Sequence, residues 1–214
     1  MPRVLIIGTG IAGLFAALRL ANNGIDVEII TKQRPKDSST NWAQGGIAAI
    51  LDKTDLDEID GHIKDTLNAG DGLCDEEIVR MVVQEAGERI LDLLSIGVEF
   101  ERDQEGTFQL AQEGGHSSRR ILHAKDATGK EIERALTTAA QKHERITMRP
   151  NTLAIDLIQQ QHKSPEKGVC GVWALDQETN QVETIQGDAV VLATGGAGQL
   201  WEKTTNPSVS TGDG

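Results

Sequence analysis

The chain has 214 residues, 38% of them apolar and 25% charged, with a formal net charge of −12. These are the proportions of a globular protein long enough to bury a core, and the acidic balance argues against a nucleic-acid partner, which needs clustered Lys and Arg. No run approaches the ~20 apolar residues of a membrane span, and the two cysteines, Cys74 and Cys170, form no C-x-x-C pair, so a cytoplasmic protein with two buried free thiols is expected.

Residues 4–7 form a short continuous apolar run, the mark of a strand buried on both faces. The glycine-rich turn Gly8-Thr9-Gly10-Ile11-Ala12-Gly13 follows directly. It opens a helix over residues 12–23, with Leu14, Ala17, Leu18 and Ala21 at helical spacing and Asn23-Gly24 at its end. Residues 27–30 make a second strand and complete a βαβ unit. Residues 32–49 are polar, then small and glycine-bearing, and read as a long functional loop. A helix is predicted over 56–69. A stronger one runs over 75–95, with Ile78, Val82, Ile90 and Leu94 as its apolar face, Asp75 as N-cap and Gly97 as its end.

Residues 98–120 are irregular. Thr128-Gly129-Lys130-Glu131 has the pattern of a capping box ahead of Ile132, Ala135, Leu136 and Ala139 at helical spacing. Four β-rich runs, over 146–148, 153–158, 169–175 and 182–185, predict a small antiparallel meander. Residues 188–193 form another buried apolar strand, ending in Thr194-Gly195-Gly196. The fold class is α/β: a Rossmann-like domain with a parallel sheet plus a small antiparallel β-meander.

A G-x-G-x-x-G pattern gains meaning when it leaves a buried strand and opens a helix, as here. Gly8 makes the tight turn, Gly10 admits the pyrophosphate of a dinucleotide to the backbone, and Gly13 lets helix and strand pack closely. The helix N-terminus offers N–H donors and partial positive charge to phosphates. The acid that binds a ribose in many such domains belongs near residues 31–33, where this chain has Thr31, Lys32 and Gln33. That leaves a 2′-phosphate and an adenosine contact both open for Lys32.

Further motifs narrow the reading. Ser39-Thr40-Asn41-Trp42-Ala43-Gln44-Gly45-Gly46-Ile47-Ala48-Ala49 resembles the isoalloxazine loop of the succinate dehydrogenase and fumarate reductase flavoprotein family. More segments match in order: Gly72-Leu73-Cys74-Asp75; Glu113-Gly114-Gly115-His116-Ser117 with Arg119-Arg120-Ile121-Leu122-His123; Asp126-Ala127-Thr128-Gly129; and Leu192-Ala193-Thr194-Gly195-Gly196-Ala197 with Thr204-Thr205-Asn206-Pro207 and Gly212-Asp213-Gly214. The resemblance spans residues 4–214 and is strongest with the family's aspartate-oxidising branch.

That resemblance implies a Rossmann-like FAD-binding domain over residues 1–214, ending before a capping domain and a C-terminal helical domain. It implies FAD contacts from Gly8, Thr9, Gly10, Ile11, Ala12 and Gly13 at the phosphates and Lys32 near the adenosine end. Ser39, Thr40, Asn41, Trp42, Ala43, Gln44, Gly45 and Gly46 would run along the flavin, with Asp213 near the pyrophosphate. Ser39 stands where membrane-bound relatives carry a flavin-linking histidine, so the FAD is expected to be non-covalent. Gln44 replaces a glutamate common in the dehydrogenases.

The implied reaction is oxidation of L-aspartate to iminoaspartate, with hydride passing to flavin N5 and reoxidation by O2 or fumarate. This is the first step of quinolinate and NAD biosynthesis, with quinolinate synthase as a partner. The alternatives are a soluble fumarate reductase or succinate dehydrogenase flavoprotein and, for residues 1–214 alone, an inactive dinucleotide-binding module. Glu113 and His116 are the substrate-contact candidates, because a carboxylate at Glu113 suits the amino group that succinate lacks. His123 is expected to be structural, and Arg119 and Arg120 to pair with acidic groups. Residues 55–60 are expected to be solvated surface. The family's proton-transferring arginine belongs to the capping domain, so no catalytic base is assigned within these residues and no metal is expected.

Overall fold

A computed structural model describes residues 2–125, 127–161 and 167–214. In chain order its elements begin β1 (Arg3–Ile7), α1 (Ile11–Asn22), β2 (Asp26–Ile30), α2 (Ser39–Trp42), β3 (Ile47–Ala48), α3 (Leu56–Ala69) and α4 (Glu76–Ile96). They continue with β4 (Leu110–Ala111), β5 (Ile121–Leu122), α5 (Thr128–Lys142), β6 (Ile146–Arg149), β7 (Thr152–Gln159), β8 (Val169–Asp176), β9 (Gln181–Gln186) and β10 (Ala189–Leu192). The chain divides into two compact units, one of Met1–Trp42 with Ile132–Gly214 and one of Ala43–Glu131.

The first unit is built on a four-stranded parallel sheet in the order β10-β1-β2-β6. The apolar runs of β1 and β2, the latter with Val27, Ile29 and Ile30 buried together with Glu28, occupy its centre, and a continuous apolar run suits a strand buried on both faces. The meander β7-β8-β9 is antiparallel and lies within the same unit. Val172, Ala174 and Ile185 of the meander share a core with Leu5, Ile7 and Ile30 of the parallel sheet. Residues 146–148, expected in the meander, instead form β6, with Val27 opposite Ile146 and Ile30 opposite Arg149. Periodicity reports which face is buried and not which strand is the partner. The long connection from β2, which includes α5, supplies the crossover that parallel pairing requires.

β10 also differs from its expected burial. It stands at the sheet edge with β1 as its neighbour, and Leu192 is exposed. In α5, Ile132, Ala135, Leu136 and Ala140 are buried. Thr128 is already helical there. Its hydroxyl accepts from the Ala124 N–H, while the Glu131 carboxylate accepts from the Glu99 N–H, so these side chains tie loops to the helix start in place of a capping box. Asp126 of the matched motif lies outside the described residues.

The second unit pairs α3 with α4 over a core of Ile50, Ile59, Ile63 and Val83. Asp55 and Asp75 cap the two helices with their carboxylates, which satisfies N–H groups that the helix itself leaves unpaired. The sheet β3-β5-β4 is antiparallel. The loop read over 32–49 thus contains α2 and β3, and the irregular stretch 98–120 contains β4 and a bridge between Arg102 and Phe108. Both thiols are free but half-buried rather than buried. Among the described residues no helix is long and apolar enough to cross a membrane.

The apolar face of α4 is a correction. Val83, Gly87, Ile90 and Leu93 are buried, whereas Ile78 and Val82 are exposed. At 3.6 residues per turn, Ile90 lies roughly 120° around the helix from Ile78, so the four residues expected on one face do not share one. Gly87 belongs to the buried stripe because a Cβ there would sit 2.5 Å from the Ile50 carbonyl oxygen. Ile90→Ala is expected to lower the unfolding free energy by about 2–4 kcal/mol and Ile78→Ala by less than about 0.5 kcal/mol. Urea unfolding followed by circular dichroism measures both, and equal losses would contradict the observed face.

Candidate functional site

The first unit positions the glycine-rich turn between β1 and α1. Gly8 has φ 115°, and a Cβ on it would collide with the Ala193 carbonyl at the end of β10. A Cβ on Gly13 would collide with the Gly8 carbonyl. Both positions exclude any side chain, so backbone packs against backbone where β1, β10 and α1 converge. Thr9 is buried and turned inward, bonded to the Thr31 hydroxyl at 3.2 Å and the Pro35 carbonyl at 2.9 Å. Ile11 and Ala12 remain exposed at the helix start.

Gly10 caps α1 without a side-chain hydrogen bond, and no acidic residue lies in the first turn. A phosphate-bearing ligand therefore meets N–H groups with no repelling carboxylate beside them, the Ile11 N–H being shared with the Thr40 hydroxyl, which fits the pyrophosphate of FAD. Lys32 donates to the Asp213 carboxylate and the Thr211 hydroxyl, each at 2.5 Å. The Lys32 hydrogen bond, with help from Thr211, holds the Asp213 carboxyl below the usual carboxylate range. Two residues expected at different parts of the dinucleotide are thus joined as a pair.

The single turn α2 buries none of its residues and is held by polar contacts. Ser38 accepts from the Asn41 N–H at 3.3 Å and donates to the Glu133 carboxylate at 3.0 Å. The Ser39 hydroxyl lies 3.0 Å from that of Ser210, and Thr40 accepts from the Ile11 N–H at 3.0 Å. Glu133 is 2% exposed. Burial pushes its carboxyl up to about 7, against the lowering effect of hydrogen bonds from Ser38 and Thr137.

In the second unit, Gln44, Gly46, Ala111, Glu113, His123 and Lys125 line an open cavity of about 360 Å3. Gly45 leaves room beside Glu113, since a Cβ on it would stand 3.8 Å from both carboxylate oxygens. His123 Nδ1 lies 3.2 Å from the Glu101 carboxylate, and His123 lines the cavity. His116 is turned elsewhere. Its ring is 3.3 Å from the buried Arg120 guanidinium and 5.6 Å, centroid to centroid, from His62, although its N–H bonds the Glu113 carbonyl.

Arg120 pairs as expected with carboxylates, Asp65 at 2.6 Å and Glu58 at 3.4 Å. The Ser117 N–H, followed by Arg120, keeps the Asp65 carboxyl well below the usual range. Ser118, followed by Arg120, lowers that of Glu58, so Glu58 is not the merely solvated residue expected of the 55–60 run. Arg119 reaches the Leu110 carbonyl at 3.5 Å. Sequence reasoning missed Glu133, although its i, i+3, i+7 spacing with Leu136 and Ala140 puts a carboxylate on the buried face of α5.

A family model described as FAD binding domain matches residues 3–214. The chain is 47% identical to L-aspartate oxidase 2-a, chloroplastic, of Nicotiana tabacum over 98% of this chain and 32% of the relative. It is 44% identical to L-aspartate oxidase of Yersinia pestis over 99% of this chain and 40% of the relative. Thus the chain spans roughly a third of the length of the curated relatives it matches. Among solved structures, a quinol-fumarate reductase with menaquinol molecules superposes with TM-score 0.89 and 29% identity, over 99% of this chain and 36% of that one. The Mycobacterium smegmatis Sdh1 complex in the apo form gives TM-score 0.88 and 29% identity, over 100% of this chain and 38% of that one.

Burial of Glu133 has a pH signature. Its folded-state pKa of about 7 exceeds the ordinary carboxyl value of about 4.3, so the folded state binds more protons between them. The contribution is fully present below the unfolded pKa and is lost as pH rises through the folded one. Glu133→Gln is therefore expected to gain on the order of 1–3 kcal/mol of stability relative to wild type between pH 4 and pH 8. Thermal unfolding across that range measures it. A constant difference between the two proteins would mean that Glu133 ionises normally.

Proposed function

This chain belongs to the FAD binding domain family, and we propose that it is the N-terminal part of the flavin domain of an enzyme that oxidises L-aspartate to iminoaspartate. The cofactor is FAD. The observation that carries the substrate reading is Glu113 on the wall of a cavity, within a chain 42–47% identical to proteins named L-aspartate oxidase.

In the first unit, the backbone of Gly8, Thr9, Gly10, Ile11, Ala12 and Gly13 would hold the pyrophosphate, with Lys32 and Asp213 as further contacts. Ser39, Thr40, Asn41 and Trp42 there, and Ala43, Gln44, Gly45 and Gly46 in the second unit, are each proposed as flavin contacts. When bound, FAD supplies the two-electron acceptor for the hydride from the substrate α-carbon. Glu113 would pair with the substrate ammonium and so select an amino acid over succinate. His123, held through Nδ1 by the Glu101 carboxylate, is proposed as a further substrate-side residue on the cavity wall. His116, committed to Arg120, serves by holding the loop that carries Glu113. No proton-transferring base is assigned to these residues.

Reoxidation by O2 or fumarate completes turnover. The imine product hydrolyses in water, which favours prompt use by a condensing enzyme. Quinolinate synthase is the proposed consumer, and NAD biosynthesis the proposed role. A cytoplasmic location is part of the same proposal, although the plant relatives are named chloroplastic.

Glu113→Gln is expected to raise KM for L-aspartate roughly ten- to a hundred-fold, the scale of a lost charge pair, while leaving fumarate reduction within about two-fold. Steady-state kinetics of the holoenzyme with each substrate test this. Turnover of succinate but not aspartate by the wild type would instead identify a fumarate reductase or succinate dehydrogenase. Absence of turnover with every such substrate in a flavin-loaded holoprotein would identify a binding module.

The Ser39 hydroxyl has no nitrogen with which to make the histidine-type flavin linkage. Acid precipitation of the holoprotein is expected to release all of the yellow chromophore into the supernatant. Flavin absorbance retained in the washed pellet would refute non-covalent binding.

A further inference from the structure

Glu133 has no part in the reaction proposed above, yet it is a carboxylate set on the buried stripe of a helix. Its hydrogen-bond partners are two hydroxyls, those of Ser38 at 3.0 Å and Thr137 at 3.5 Å, and neither offers a compensating charge. Burying such a group is costly where an apolar residue would stabilise, so what it holds matters. Ser38 leads into α2, whose first residues are fixed in succession. Ser38 binds Glu133, Ser39 meets Ser210, and Thr40 accepts from Ile11 at the N-terminus of α1. None of the four residues of α2 is buried, so hydrogen bonds rather than packing determine where this turn sits.

We propose that Glu133 is a positioning residue for FAD: by holding Ser38 it fixes α2 and thereby sets the Thr40 hydroxyl on the Ile11 N–H beside the dinucleotide turn. The Asn41 N–H, 3.3 Å from the Ser38 oxygen, orients that hydroxyl so that its own proton points to Glu133. The relay runs from the core of the first unit to the ligand-facing end of α1 through one serine. It rests on the FAD assignment and is independent of which substrate the flavin oxidises.

FAD titration of the apo-holoprotein pair, read by quenching of flavin fluorescence, tests the relay, with thermal unfolding of each apoprotein as control. Glu133→Leu and Ser38→Ala are each expected to weaken FAD binding roughly ten-fold, the scale of one buried hydrogen bond. The double variant should be no weaker than either single one, because both break the same link. Glu133→Gln keeps an acceptor for Ser38 and should stay within about two-fold of wild type. Should Glu133→Leu fail to fold, Ser38→Ala and Glu133→Gln carry the comparison alone. Unchanged FAD affinity in Ser38→Ala, multiplicative losses in the double variant, or a Glu133→Gln as weak as Ser38→Ala would each overturn the proposal. A wild-type protein that binds no FAD would overturn the flavin reading and the proposal with it.

Discussion

The first unit depends on one close approach of backbone to backbone. Gly8 leaves no space between itself and the carbonyl of Ala193, and Gly13 leaves none between itself and the carbonyl of Gly8. Those contacts draw the ends of β1 and β10 and the first turn of α1 together. Gly10 begins α1 with no side chain of its own to cap it, and Thr40 supplies a hydroxyl to the Ile11 N–H from outside the helix. A methyl group at Gly8 would push the end of β1 from the end of β10, and one at Gly13 would push α1 from β1, before either touched a ligand, so the same residues serve folding and recognition.

Much of this was legible in the sequence, and the reasons are local. The run in β1, the glycine turn and the apolar spacing of α1 each encode their own conformation within a few residues. Asp75 announces the helix it caps by the same logic. The parts that were not legible depend on distant partners. The residues of β6 carry the composition of a strand, but nothing in them names β2 as the neighbour. The four apolar residues Ile78, Val82, Ile90 and Leu94 span more than four turns of α4, and following the helical angle over that length shows that they do not share one face. Glu133 does not stand out in the sequence because it is a charged residue set within the apolar stripe of α5.

The site shows the same division. The glycine positions and Lys32 stood out by residue type and context, whereas Asp213 and Glu113 stood out only through the family resemblance. What the structure adds is which of them meet. Lys32 and Asp213 form a pair across almost the whole chain, His123 faces the cavity that Glu113 lines, and His116 is drawn to Arg120. Pairings of this kind follow from how the loops return, which no short sequence window records.

The Lys32–Asp213 pair carries a consequence for how an anion arrives. A ligand phosphate nearing Lys32 finds that ammonium already neutralised, within a chain whose net charge is −12. Long-range Coulomb steering toward this end of the site is therefore weak, and attraction falls to the aligned N–H dipoles of α1. Dipole fields decay faster with distance than those of a bare charge. Capture of the dinucleotide is then a short-range event governed by shape, and dissolved salt assists the approach of an anionic ligand by screening the repulsion of the acidic chain.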